Sequence, residues 1–393
     1  MFSKAEYERR VKGLQKVLRE QNIDGALLVQ KADVLYFTGS AQDIHLYLPQ
    51  EGTPLVLVYR NLERAAKESP WEVRPLPKIS KLPEIISEGY PVPQSMGMEF
   101  DVLPVANYFK YQKLFPETKL VDISYPLRLL RAVKSAEEIR QIEANGQIYA
   151  EILAYAASIL RPGMTEIELE AMIEAKARML GHEAMVRTRG LNFEFNFGGV
   201  FAGPQGAAPG CFNGPVTGLG VSAAVPLGSS NTPIEPGDPI MLDLTIAQNG
   251  YVVDTTRMLV SGSLAPKLEE AYKLCLEIQE RTRQALVPGR KAGEVYDGIL
   301  DWVARETPYP EYFMGVGSER VGFIGHGVGL ELNELPTLSK GAQEVLAPGM
   351  TIAVEPKFVF PGEGAIGIED TFVIEGDKGA RSLCPAPKTI TRV

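Results

Sequence analysis

Five residues in the second half of this 393-residue chain have types and surroundings that could act together: Asp243, Asp254, His326, Glu355 and Glu369. Asp243 closes the strand-like run PIMLD after the turn EPGD, and Asp254 follows NGYVV after a second turn. The two runs read as a hairpin with the acids on neighbouring strands. His326 lies in GFIGHGVGL, where glycines let the backbone approach another group closely. Glu355 ends TIAVE, and Glu369 ends GAIGIE. Singly, each has an ordinary reading as a strand-end acid or a satisfied histidine. Together, four ionised carboxylates in apolar runs are costly to bury without a counter-charge. Two divalent cations would cancel that charge. An oxygen-rich set with one imidazole suits manganese, iron, cobalt or zinc, in a carboxylate-bridged pair about 3.5–4 Å apart.

The elements that must position these residues fall into two parts, as the length already suggests. The first residues place Val11, Leu14, Val17 and Leu18 at helical spacing, an amphipathic opening helix rather than the unbroken apolar stretch of a signal peptide. GALLVQKADVLYFTG and GTPLVLVY then read as strands alternating with helical segments such as NLERAAKES, an α/β domain over 1–126. From Leu127, LRLLRAVKSAEEIRQIEANGQIYAEILAYAASIL reads as one long helix with Ser135 and Glu138 at capping-box spacing, and opens a second domain over 127–393.

That second domain contains an echo. The segment from Leu160, LRPGMTEIELEAMIEAKARML, parallels LVPGRKAGEVYDGILDWVARE from Leu286, with Leu169 matching Val295 and Ile173 matching Ile299. One reading is a duplicated helix pair with a site between related halves, and the other is two ordinary helix turns sharing Pro-Gly punctuation. Between the copies, the Gly, Ala and Pro rich stretch from Gly198 to Asp238 is too apolar for a flexible linker, so it reads as a packed loop region lining a site.

Composition excludes several roles. A net charge of −9 argues against a nucleic-acid partner. No segment carries the roughly 18 uncharged apolar residues of a membrane span. Cys211, Cys275 and Cys384 are odd in number and far apart, which argues against a disulfide framework and makes the cytoplasm the expected compartment.

LDLTIAQNGYVVDTTR, GHGVGLELNELP, AVEPK and GIEDT, with RAVKSAEEI as an entry helix, resemble the pita-bread metallopeptidases. That family includes Xaa-Pro aminopeptidases, prolidases, methionine aminopeptidases and the metal-free creatinases. The resemblance covers nearly the whole chain. It implies an α+β fold: a carboxy-terminal pita-bread domain with an internal pseudo-duplication, and an amino-terminal α/β creatinase-like domain. It further implies that Asp254 and Glu369 bridge two divalent ions (manganese, cobalt, zinc or iron), that Asp243 completes one ion, and that His326 and Glu355 lie on the other. A hydroxide held between the ions would attack the carbonyl of a short proline-containing peptide, with Glu355 as proton shuttle to the leaving amine. A homodimer belongs to the same expectation.

The departures matter as much. Active family peptidases usually carry a second His seven residues beyond the ligand His, where this chain has Asn333. They carry another shortly before the first aspartate strand, where it offers Pro226 and Leu227. The Gly that often follows the first aspartate by two is Thr245. Asn333 can still donate through its amide. His182, Asn192 and Asn196 are other candidate donors to substrate, His182 having a competing structural reading at a helix end, and His45 reads chiefly as a packing residue. Three hypotheses follow: a metal-dependent peptidase of the Xaa-Pro type, a metal-dependent lyase or hydrolase of a small non-peptide molecule, and a binding pseudo-enzyme. The last is disfavoured because all five ligand types are retained.

Overall fold

The computed structural model describes residues 2–195 and 197–393. They form two compact units, one of residues 2–131 together with Arg189–Asn192, the other of Ala132–Thr188 with Phe193–Val393.

In the first unit the opening pattern forms the helix Lys4–Glu20. Ser3 caps it by accepting the Glu6 N–H, and Tyr7, Val11, Leu14 and Leu18 are buried along one face. A six-stranded sheet follows the spatial order Val73–Pro75, Leu55–Val58, Ile44–Pro49, Gly25–Leu28, Ser95–Met98, Lys119–Asp122. Ile44–Pro49 is antiparallel to both its neighbours, and the remaining pairs are parallel. NLERAAKES is helical over Leu62–Glu68, as its pattern predicts. GALLVQKADVLYFTG differs from expectation, being strand only over Gly25–Leu28 and helix over Lys31–Thr38. The Gln30 side chain accepts from the Ala32 and Asp33 N–H groups, and Gly39 closes the helix at φ 73°. These local caps outweigh the strand preference of the apolar run.

The segment from Leu127 is likewise not one helix but two, Ser124–Ala132 and Ala136–Ile159. Ser135 has extended backbone and starts the second afresh. Its Oγ accepts from the Glu138 N–H at 3.3 Å, while Glu138 Oε2 accepts from the Ser135 N–H at 2.9 Å. The two echoed segments are matching helix pairs, Ala136–Ile159 with Glu166–Met179 and Pro266–Ala285 with Ala292–Glu306. Leu169, Ile173, Val295 and Ile299 are all buried. The first pair packs on a sheet of Gly198–Ala202, Ile240–Gln248, Tyr251–Val260 and Thr391–Arg392. The second packs on a sheet of Glu334–Ser339, Phe323–Gly327, Thr351–Val354, Asp370–Gly376 and Gly379–Ser382, and on the hairpin Lys357–Phe360 with Gly364–Gly367. Among the described residues no helix is long and apolar enough to cross a membrane.

Candidate metal centre

The aspartate hairpin turns at Asn249 and Gly250, both at positive φ, as a tight hairpin of right-handed twist requires. Its register sets Asp243 opposite Thr256 and Asp254 opposite Thr245. All four side chains therefore share one face of the sheet, which is the reason for the alternation in DLT and DTT. Asp243 and Asp254 were expected at strand ends, yet both are internal to strands that run on to Gln248 and Val260. The β-branched residues after each acid continue the ladder. Glu369 joins through a reciprocal backbone pair with Thr256, N–H to O at 3.2 Å each way. His326 pairs with Ala353 of Thr351–Val354, the strand that leads into Glu355.

The five side chains meet in one network. His326 Nε2 lies 3.8 Å from Asp254 Oδ2 and 3.6 Å from Glu355 Oε1. Its Nδ1 is 3.2 Å from the Gly327 carbonyl, which can only accept, so Nδ1 donates there and Nε2 is the ring nitrogen turned to the two carboxylates. Thr245 Oγ1 donates to Asp254 Oδ1 at 3.2 Å, and Thr256 Oγ1 donates to Glu369 Oε2 at 2.9 Å. Glu369 Oε1 is buried and, among the described residues, has no hydrogen-bond partner. Donor atoms of Asp254, His326 and Glu369 lie within 4.8 Å of one another, a set that fits a divalent ion.

A sixth residue, absent from the sequence reading, sits among them. Lys357 is fully buried, and its Nζ is 2.9 Å from Asp243 Oδ2, 2.9 Å from Glu355 Oε2 and 3.3 Å from Glu369 Oε2. Its signal was a lone cation two places after Glu355 in the otherwise apolar run EPKFVF. Burial, then the charges of Asp243 and Glu355, push the Asp254 carboxyl well above the usual carboxylate range. Burial and Asp254 do the same to Glu369. Burial alone would lower Lys357, but Asp243, Glu355 and Glu369 outweigh it and hold the ammonium charged. The acids remain short of positive charge.

A cavity of about 210 Å³ opens on this cluster, walled by Phe193, Phe195, Phe201, Phe212 and Leu332. Several walls come from the glycine-rich stretch expected to line a site. Asn333 and Leu227 line it as well. His182 and Asn192 are not among its lining residues, and Asn196 lies outside the described residues. His182 instead accepts the Ala247 N–H on Nδ1 at 3.0 Å. His45 is buried in the first unit, its Nε2 2.9 Å from the Tyr111 hydroxyl.

A mixed-sheet amino-terminal domain before a duplicated helix-and-sheet domain with an acid-rich centre defines the class: a creatinase-type domain followed by a pita-bread domain. Residues 140–376 match Metallopeptidase family M24, and residues 10–133 match the Creatinase/Prolidase N-terminal domain. The chain belongs to metallopeptidase family M24, and is an enzyme of that family. It is 30% identical over 380 residues to an Xaa-Pro dipeptidase of Pyrococcus furiosus, covering 96% of this chain and 97% of that one. Among solved structures it is similar to an Xaa-Pro dipeptidase from Bacillus anthracis, with a TM-score of 0.82, 26% identity, and coverage of 98% and 100%. The prolidase of Pyrococcus horikoshii OT3 matches at a TM-score of 0.80 and 26% identity, covering 97% and 99%. Membership of a metallopeptidase family implies divalent metal ions.

Proposed function

We propose that this chain is a metal-dependent hydrolase of short proline-containing peptides, of the Xaa-Pro dipeptidase or prolidase type. The observation that carries the reading is the convergence of Asp254, His326 and Glu369, whose donor atoms lie within 4.8 Å of one another, with His326 Nε2 3.6 Å from Glu355 and 3.8 Å from Asp254. Asp254, His326 and Glu369 would hold a cation, with Glu355 beside them. A divalent ion in that place acidifies water and polarises a carbonyl.

The chain's own groups supply the rest. Lys357 occupies Glu355 Oε2, leaving Oε1 as the oxygen that takes a proton from water and passes it to the leaving amine. Asn333 donates its amide to the substrate carbonyl. The phenylalanine walls take an apolar ring such as proline, and the cavity suits a substrate of a few residues at most. A homodimer is part of this reading. Leu227 on the cavity wall, in a region where peptidases of the family usually offer a histidine, favours a second reading in which the substrate is a small non-peptide amide.

The experiment is turnover of Xaa-Pro dipeptides by protein stripped with chelator and reloaded with Mn²⁺ or Co²⁺. Proline-dependent hydrolysis that disappears with the metal and returns with it supports the first reading. A metal-loaded chain that cleaves no peptide moves the assignment to the second.

A further inference from the structure

Lys357 enters the proposed reaction only through its hold on one oxygen of Glu355, yet it contacts two further acids. A long cationic side chain is rarely withdrawn from water unless its charge is matched. The three N–H groups of this ammonium have three carboxylate oxygens to meet, one each on Asp243, Glu355 and Glu369.

The fold also makes room for it. Lys357 and Gly367 face one another across the short hairpin. A Cβ at position 367 would lie 2.4 Å from Lys357 Cγ, so the lysine stem fills the space that any other residue there would take.

We propose that the Lys357 ammonium holds the place of one of the two cations that the family resemblance implies, so that the chain takes up a single divalent ion. The inference rests on the metal-dependent reading above and changes its count. Asp243, the residue expected to complete an ion, is instead tied to Lys357. A second ion would bond carboxylate oxygens at roughly 2.0–2.2 Å, and would compete for Asp243 and Glu369 with a cation already 2.9 and 3.3 Å from them. Glu369 is divided accordingly. Its Oε2 accepts from Lys357 and Thr256, whereas the buried Oε1 is the oxygen left for the remaining ion, with Asp254 and His326 close by.

The test is stoichiometry. Full-length chain stripped with chelator is titrated with Mn²⁺, bound metal is measured by elemental analysis after gel filtration, and the electron paramagnetic resonance spectrum is recorded. One ion per chain with an isolated six-line spectrum is expected. Lys357→Gly is expected to take up a second ion and to show an exchange-coupled spectrum, with Lys357→Ala serving if the glycine variant does not fold. Two ions in the unaltered chain overturn the proposal and leave metal dependence standing. Variants that fold but stay at one ion overturn Lys357 as the cause. A folded, unaltered chain that binds no ion removes the metal-dependent reading itself, and this count with it.

Discussion

Each unit of the molecule buries a cluster of acids, and the two clusters solve the charge problem differently. In the first unit buried Asp33 and Glu99, with the exposed Asp101 at their edge, face Arg131 and Arg189, with Arg131 2.8 Å from Asp33 and Arg189 3.0, 3.3 and 2.7 Å from Asp33, Glu99 and Asp101. Burial opposes ionisation of Asp33, but Arg131 and Arg189 hold it well below the usual carboxylate range. Burial and the Asp33 charge push Glu99 up, so that it keeps its proton. Asp33 and Asp101 are each paired with an arginine, while Glu99 Oε2 has no hydrogen-bond partner among the described residues. In the second unit four acids face one lysine and the Nε2 of His326, and Asp254 and Glu369 are pushed up by burial and by their neighbours' charges. Buried acids alone therefore do not mark a site; the shortfall of positive charge does. The contrast recurs between adjacent residues. Asp370 has a cation at each oxygen, Arg257 at 2.7 Å and Lys388 at 2.8 Å, while Glu369 Oε1 has no hydrogen-bond partner among the described residues.

The strongest test of the open cluster is Glu355→Gln. The change keeps shape and removes the proton shuttle, so peptide turnover should fall by about 10² to 10⁴ while the urea unfolding midpoint stays near that of the parent. Undiminished activity would take Glu355 out of the mechanism. The closed cluster should fail in the opposite way. Arg131→Met leaves Asp33 short of a buried partner and should lower stability by about 3–5 kcal/mol, measured by urea unfolding, with the metal content of the folded protein unchanged. A loss of metal from folded Arg131→Met would mean that the two clusters are not independent.

These clusters were unequally legible in the sequence. The five metal-type residues stood out because each interrupts an apolar, glycine-marked run. The hairpin register that joins Asp243, Thr245, Asp254 and Thr256 follows from period-two alternation around Asn-Gly. Lys357 did not stand out, because a single lysine near a turn usually points to water. Only the pairing with Gly367 and the surrounding acids shows that it turns inward. The arginine cluster was equally silent, since Asp33 and Arg131 lie 98 positions apart and neither breaks a recognisable pattern. The misread helix at Lys31–Thr38 has a similar cause. Caps from Gln30 and Gly39 decide it, and a glutamine cap is a weak signal beside an aromatic run.

A smaller effect sharpens the comparison through the buried histidines His45 and His182, one in each unit. Burial, opposed by Asp43 and aided by Lys110, lowers His45 to about 4, and burial, aided by Arg178, lowers His182 to about 4. Both lie below the unfolded value of 6.5, so between pH 6.5 and 4 the unfolded chain binds more protons and stability falls as pH falls. Between pH 7 and 5.5 each histidine should account for about 1 kcal/mol of that loss. His45→Gln and His182→Gln should each remove about half of the difference in urea unfolding between those two pH values. A slope unchanged in both variants would remove the two histidines as the source of the acid sensitivity.

The smallest expected effect concerns what orients the acids. In the closed cluster the arginines hold the carboxylates in place, whereas Asp254 has a neutral donor, Thr245 Oγ1 at 3.2 Å, fixed opposite it by strand register. Valine at 245 keeps the β-branched shape in this fully buried position and removes only the hydroxyl. Thr245→Val should therefore fold and bind the same number of ions, with Mn²⁺ affinity reduced about tenfold, the lower end of what loss of a partner to a metal ligand produces. Isothermal titration checks this directly. An unchanged affinity would show that the cation itself orients Asp254, and the open cluster would then be assembled by its ligand rather than prepared for it by the strands.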